Sequence, residues 1–155
     1  MSTGALVVTG GSRGIGAATA VLAARSGYDV VVGYRDNTEA AHDVVATCAD
    51  VGVDAFAAPV DLADESSVVA WFAGAIERLG PIGCLVNNAG IVQPQSRLDG
   101  MSAERIRRVF DVNVLGSMLC AREAVRHMST RHGGRGGSIV NVSSAAAYLG
   151  SAGEY

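Results

Sequence analysis

The chain has 155 residues, 49% hydrophobic and 17% charged, with a formal net charge of −3. Such a length and composition suit one α/β domain whose sheet is covered on both faces, and the lack of a broad basic field argues against a nucleic-acid partner. No apolar run approaches membrane-spanning length and no signal peptide precedes the first apolar run, so a soluble, cytoplasmic protein without membrane association is expected.

The chain opens on an apolar β-type run, Leu6-Val7-Val8, that ends in Thr9-Gly10-Gly11-Ser12-Arg13-Gly14-Ile15-Gly16. Four glycines in seven residues deliver the backbone into a helical segment. Ile15, Ala18, Leu22 and Ala23 fall at helical spacing and predict its buried face. A strand that enters a helix through glycines suits phosphate, because the main chain can approach closely and helix N–H groups favour negative charge. The spacing Gly10-x3-Gly14-x-Gly16 differs from the commoner G-x-G-x-x-G, and no Lys-Ser/Thr pair follows to make a nucleoside-triphosphate loop. A structural tight turn is the plainer alternative.

Ser26-Gly27 closes the first helix, and Tyr28 to Tyr34 reads as a second strand. A helix follows from Asn37 to about Asp50, then a third strand from Val53 to Val60, ending at Asp61. Asp64 can cap the next helix, with Val68, Val69, Phe72, Ile76 and Leu79 on one face and Gly80-Pro81 as its stop. Cys84-Leu85-Val86 is a fourth strand, closed by Asn87-Asn88-Ala89-Gly90. After a looser connection from Ile91 to Gly100, Ser102 caps a helical run from about Ala103 to His132, with room for a break. Val114, Leu115, Met118, Leu119, Val125 and Met128 supply its apolar side. Gly133 to Gly137 reads as a loose connector, Ser138 to Ser143 as a fifth strand, and the remainder as Ala/Gly-rich loop.

Alternating strands and helices predict a doubly wound parallel sheet, and right-handed crossovers from a central first strand give the order 3-2-1-4-5. Ligands of such sheets bind beyond the carboxyl ends of the strands. The unusual polar clusters all fall on that rim: residues 10 to 16, 34 to 38, 61 to 63, 87 to 92 and 143 to 155. This coincidence points to a dinucleotide site in a single domain. Cys48, Cys84 and Cys120 are odd in number and widely spaced, which suits reduced buried thiols, and His42, His127 and His132 show no metal-ligand spacing, so no metal site is expected.

Taken together, the Thr9-to-Gly16 bend, Asp61, Asn87-Asn88-Ala89-Gly90, Asn113 and Ser143-Ser144 resemble the short-chain dehydrogenases/reductases, nearest to the 3-oxoacyl-carrier-protein reductase and glucose dehydrogenase group. The resemblance covers the whole chain and implies a Rossmann-type fold and a nicotinamide dinucleotide. It implies Gly10, Ser12, Gly14, Ile15 and Gly16 around the pyrophosphate and adenosine ribose, Asp61 and Leu62 flanking adenine, and Asn88, Ala89 and Gly90 along the ribose. Plainer roles exist for Asp61 as a strand-end turn residue and for Asn87-Asn88 as partners of local backbone.

Charge bears on which dinucleotide is bound. An NAD site usually carries a carboxylate at the end of the second strand, and an NADP site a cation. Here Tyr34 is followed by Arg35, and Arg13 projects from the bend toward the same corner, which favours NADP(H) over NAD(H). Asp36, at roughly the separation of a ribose-binding acid, is the rival candidate. Arg35 and Asp36 as merely solvated loop charges is the third reading.

For the chemistry, the resemblance implies Ser144 as the residue that hydrogen-bonds the substrate oxygen and Asn113 as organiser of a proton-relay water. The family's catalytic Tyr belongs to a Tyr-x-x-x-Lys unit further along than Tyr155, and no Lys stands at a suitable place. Tyr155 therefore reads as a preceding loop residue, or as the catalytic Tyr if the loop is short. On this reading residues 1–155 are the N-terminal part of a longer single-domain chain, with the final strands still to come. The function expected of the parent is NADP(H)-dependent interconversion of a carbonyl and an alcohol on a small-molecule substrate, in a homo-oligomer, commonly a tetramer. A non-catalytic nucleotide-binding module is the alternative. A methyltransferase is disfavoured, since its cofactor has no phosphate for Arg13 and Arg35 to neutralise.

Overall fold

The structure, a computed structural model, describes residues 4–150. Five parallel strands form one sheet: β1 (Ala5–Val8), β2 (Val30–Tyr34), β3 (Ala55–Pro59), β4 (Ile82–Asn87) and β5 (Ser138–Asn141), in the order β3-β2-β1-β4-β5. Between them run α1 (Gly14–Arg25), α2 (Thr38–Ala49), α3 (Glu65–Leu79), α4 (Ala103–Phe110) and α5 (Ser117–Met128), and α6 (Ala146–Leu149) follows β5. This is the Rossmann-type doubly wound architecture, with β1 at the centre. Val7 pairs with Val31 on one side and Leu85 on the other. Both edges of β1 are thus paired, and its side chains enter a core on each face of the sheet, which is why its run is uninterruptedly apolar.

Two cores result, one on each face. Val7, Val31 and Leu85 face α3 and α5, packing with Phe72, Val68 and Leu119. Val8, Val30 and Val32 face α1 and α2, packing with Ala20, Ala24 and Cys48. Asn37 and Asp64 cap α2 and α3 by accepting from Ala40 N–H and Ser66 N–H, and Ser102 caps α4 by accepting from Arg105 N–H. Arg122 joins α3 to α5, with one guanidinium nitrogen 2.7 Å from Glu65 and 2.8 Å from the buried Glu123.

Several expectations need correction. The buried face of α1 is Gly16, Ala20, Ala23 and Ala24, whereas Ile15 and Leu22 are each 65% exposed and Ala18 is exposed. Small residues let the helix lie close on the sheet, so its larger side chains point out. Val69 on α3 is likewise exposed. The long helical run is broken by a π-helical turn at Asp111–Gly116 and by extended backbone at Ser129. Along it Leu119 and Met128 are buried, but Val114, Leu115, Met118 and Val125 are exposed. Gly133 to Gly137 is no loose connector: a Cβ at Gly134 would come within 2.4 Å of the Met128 backbone, and one at Gly137 within 2.5 Å of Met128 Sδ. β5 stops at Asn141, short of Ser143. The loop after it holds the turn of α6.

Candidate functional site

The bend after β1 is shaped by two close approaches. Gly10 adopts φ +64°, and a Cβ there would sit 2.9 Å from Ala89 Cα. Gly16 is buried, and its Cβ would meet the Gly10 carbonyl oxygen at 2.4 Å and Asn88 Nδ2 at 2.5 Å. Gly14, at φ +55°, has nothing within 4 Å of a Cβ position, so its main chain is bare on that side. α1 begins there with Arg13 in extended backbone, no side-chain cap and no acidic residue in its first turn. The leading end of α1 thus keeps its positive character for an incoming anion.

The ends of the neighbouring strands are tied to this bend. Thr9 Oγ1 accepts from Asn88 N–H and Ala89 N–H, both at 3.0 Å. Asn88 Nδ2 donates to the carbonyls of Thr9 (2.9 Å) and Gly10 (3.1 Å). Beyond β2, Arg35 Nε lies 3.7 Å from Asp36 Oδ1 and 4.0 Å from Asp61 Oδ2. Asp61 Oδ1 accepts from Ala63 N–H at 3.0 Å and so closes the turn after β3.

These loops enclose one cleft of about 500 Å³ at the carboxyl ends of the strands. From the bend, Gly10, Ser12, Arg13, Gly14 and Ile15 line it. Tyr34 and Arg35 line it from β2, Asp61 and Leu62 from β3, and Asn88, Ala89 and Gly90 from β4. Gly16 lies beneath, where its missing side chain lets Gly10 and Asn88 come together. Asp36, Asn37, Val60, Ile91 and Val112 also line the cleft. Asp36 was legible as a rival acid, while Val60, Ile91 and Val112 contribute apolar wall with no chemical signature in the sequence.

Asn113 and Ser144 stand outside that lining. Asn113 sits in the π-helical turn, and both ends of its amide pair with one residue: Oδ1 accepts from Ile91 N–H and Nδ2 donates to Ile91 O, both at 2.8 Å. Its own carbonyl accepts from Ser117 Oγ at 3.1 Å. Ser144 is exposed, and its Oγ accepts from Ala146 N–H at 3.2 Å as α6 begins. Tyr155 lies outside the described residues.

The three cysteines are free and buried. Burial pushes the Cys48 and Cys84 thiols up, and burial together with Glu123 pushes Cys120 up to about 12, so none is poised as a thiolate nucleophile. Among the described residues no group of His, Cys, Asp and Glu could hold a metal ion, and no helix is long and apolar enough to cross a membrane.

Comparison with known proteins gives concordant matches. The sequence profile of the short chain dehydrogenases matches residues 5–154. An uncharacterized oxidoreductase of Escherichia coli, YgfF, is 50% identical over 149 residues, covering 96% of this chain and 60% of that protein. The 3-oxoacyl-acyl-carrier-protein reductase FabG of Staphylococcus aureus is 36% identical over 152 residues, 98% of this chain and 60% of its own length. The crystal structure of a short chain dehydrogenase from Burkholderia cenocepacia in complex with NADP superposes with a TM-score of 0.89 at 37% identity, over 98% of this chain and 60% of that one. The chain therefore spans about three fifths of the length of the relatives it matches.

Proposed function

The chain belongs to the short-chain dehydrogenase family, and from that membership we propose that it serves an oxidoreductase interconverting a carbonyl and an alcohol, with NADP(H) preferred to NAD(H). The observation that carries the cofactor reading is that Arg13 and Arg35 line the same cleft as the glycine bend. The two carboxylates near Arg35 stand at 3.7 and 4.0 Å from a half-exposed guanidinium, contacts too long and too wet to hold it firmly. Arg35 is free to turn to a 2′-phosphate, with which a charge-assisted, bidentate contact is stronger.

The residues present fit a dinucleotide. The bare main chain at Gly14 and the uncapped start of α1 receive the pyrophosphate. Asp61 and Leu62 flank adenine, and Ala89 and Gly90 line the ribose. Asn88 spends its amide protons on Thr9 and Gly10, leaving Oδ1 as the atom it can offer a ribose hydroxyl. When bound, the nicotinamide supplies or accepts the hydride.

In the same reading Ser144 Oγ orients and polarises the substrate oxygen. Asn113, held through Ile91, organises the relay water, and proton transfer falls to the family's Tyr-x-x-x-Lys unit, whose Lys is not among residues 1–155. The substrate is a small carbonyl or alcohol compound. The protein acts in the cytoplasm as a homo-oligomer, commonly a tetramer, a state supported by the exposed Val114, Leu115, Met118 and Val125 along the helical run. Residues 1–155 supply a single dinucleotide-binding domain. Titrating the protein with NADPH and with NADH, read by nicotinamide fluorescence, tests this reading. Tighter NADPH binding is expected, and equal or reversed affinities would refute the preference.

A further inference from the structure

Gly116 ends the π-helical turn Asp111–Gly116 and leads into α5, buried in the middle of a helical run. Glycine weakens a helix at such a place, and the backbone does not ask for it: φ −58° and ψ −44° suit any residue. Proximity asks for it instead. A Cβ on Gly116 would stand 2.6 Å from Leu62 Cβ and 2.7 Å from Leu62 O. Leu62 follows β3 and lines the cofactor cleft, whereas Gly116 does not, so Gly116 backs Leu62 from behind. Val112, one helical turn earlier, lines the same cleft directly.

Neither side of this contact is loose. The turn that carries Leu62 is closed by Asp61 N–H to Ser67 Oγ at 3.0 Å, Ala63 N–H to Asp61 Oδ1 at 3.0 Å and Asp64 N–H to Asp61 O at 3.1 Å. The helical side is tied to the centre of the molecule. Asn87, at the end of β4, donates through Nδ2 to Ser117 O at 3.1 Å, and Asn113 is paired with Ile91. Of the two, the Leu62 turn lies on the rim, with Asp61 and Ala63 half-buried and Asp64 exposed. A side chain added at position 116 would displace that turn as a unit, and the open space beside it is the cleft.

We propose that Gly116 is a positioning residue for the base-binding wall of the cleft. Its missing side chain sets how far back Leu62 stands, and so whether a purine fits beside it. The assignment rests on the reading that Asp61 and Leu62 flank adenine, and it adds a determinant of base selectivity that touches no part of the nucleotide.

Adenosine 2′,5′-bisphosphate and uridine 2′,5′-bisphosphate carry the same phosphates on different bases. The ratio of their dissociation constants, measured by calorimetry, therefore reads the base wall. The parent should prefer the adenosine ligand. Gly116→Ala should weaken that ligand roughly ten- to a hundredfold and the uridine ligand much less, since crowding falls on the larger base. Adding Leu62→Ala to Gly116→Ala should restore part of the adenosine affinity by giving back the width, although Leu62→Ala alone weakens it. Independent packing defects would add instead. A parent that binds both bisphosphates equally would remove the adenine reading and this assignment with it. A parent that prefers adenosine, with a ratio unchanged in Gly116→Ala or with losses that add in the double variant, would overturn this assignment alone. So would unfolded circular dichroism spectra for both Gly116→Ala and the double variant, which would make Gly116 a packing residue only.

Discussion

Asn88 grips Thr9 at two points and Gly10 at a third: its N–H donates to Thr9 Oγ1 at 3.0 Å, and its Nδ2 bridges the carbonyls of Thr9 and Gly10. The two residues are 79 positions apart and close the ends of adjacent central strands. Thr9 is buried and also receives Ala89 N–H, so its hydroxyl serves three backbone groups, Val86 O included.

Thr9→Val is therefore expected to leave two amide donors unpaired and to cost about 1–3 kcal/mol for each group left without a partner. Thr9→Ser should recover most of that. Urea unfolding followed by circular dichroism measures both, and a Thr9→Val variant as stable as the parent would show that the hydroxyl has no structural task.

Gly16→Ala and Gly14→Ala should fail for different reasons. At Gly16 a methyl group has no room between the Gly10 carbonyl and Asn88, so the bend must shift, at a cost of about 1–3 kcal/mol and with loss of dinucleotide binding. At Gly14 there is space, but φ is +55°, so the penalty is backbone strain of about 1–2 kcal/mol with the bend otherwise in place. Thermal melts and NADPH titrations of the two variants separate the cases.

Arg35→Asp should lower NADPH affinity by roughly ten- to a hundredfold and spare NADH, because only the former loses a charge-assisted contact. It also gathers three carboxylates where two now stand beside a cation. Fluorescence titration with both cofactors is the measurement, and equal losses would remove Arg35 from 2′-phosphate recognition.

Asp64 caps α3, and hydrogen bonds from the Ser66 side chain and backbone hold its carboxyl below the ordinary value of 3.8. A carboxylate depressed in the folded state contributes stability that is fully present above the unfolded value and fades as pH falls through the folded one. The stability gap between the parent and Asp64→Ala should therefore be widest near neutral pH and close below pH ~3.8. Urea midpoints across that range measure it. A gap that stays constant with pH would mean the charge contributes nothing at the cap.

What could be read from the sequence follows a physical divide. Strand order and the single rim of loops were legible because apolar runs and punctuating Gly, Asn and Asp are local signals that right-handed crossovers convert into topology. The face of α1 was not, because periodicity counts large apolar residues, and here Gly16, Ala20 and Ala24 make the contact while Ile15 and Leu22 stay outside. The same count cannot tell what an apolar side chain faces, so Met118 and Leu119 looked alike although one is exposed and the other buried. At the cleft, Arg13 and Arg35 were visible as charges near the bend. Asn88's hold on Thr9 was invisible, since no local pattern announces a partner 79 positions away.

The central place of β1 also sets the order in which this molecule can be made. The first strand to leave the ribosome finds its left-hand neighbour within a few dozen residues, but its right-hand neighbour, β4, starts only at Ile82. Before Asn88 is synthesised only β2 holds the glycine turn, through Gly11 N–H to Gly33 O at 2.9 Å, so a nascent chain halted before that residue has the turn without the β4 side of its pocket. Vectorial growth thus delays the earliest-encoded feature until more than half of these residues exist, a long-range closure of the kind that slows folding and leaves apolar strands exposed in the interval.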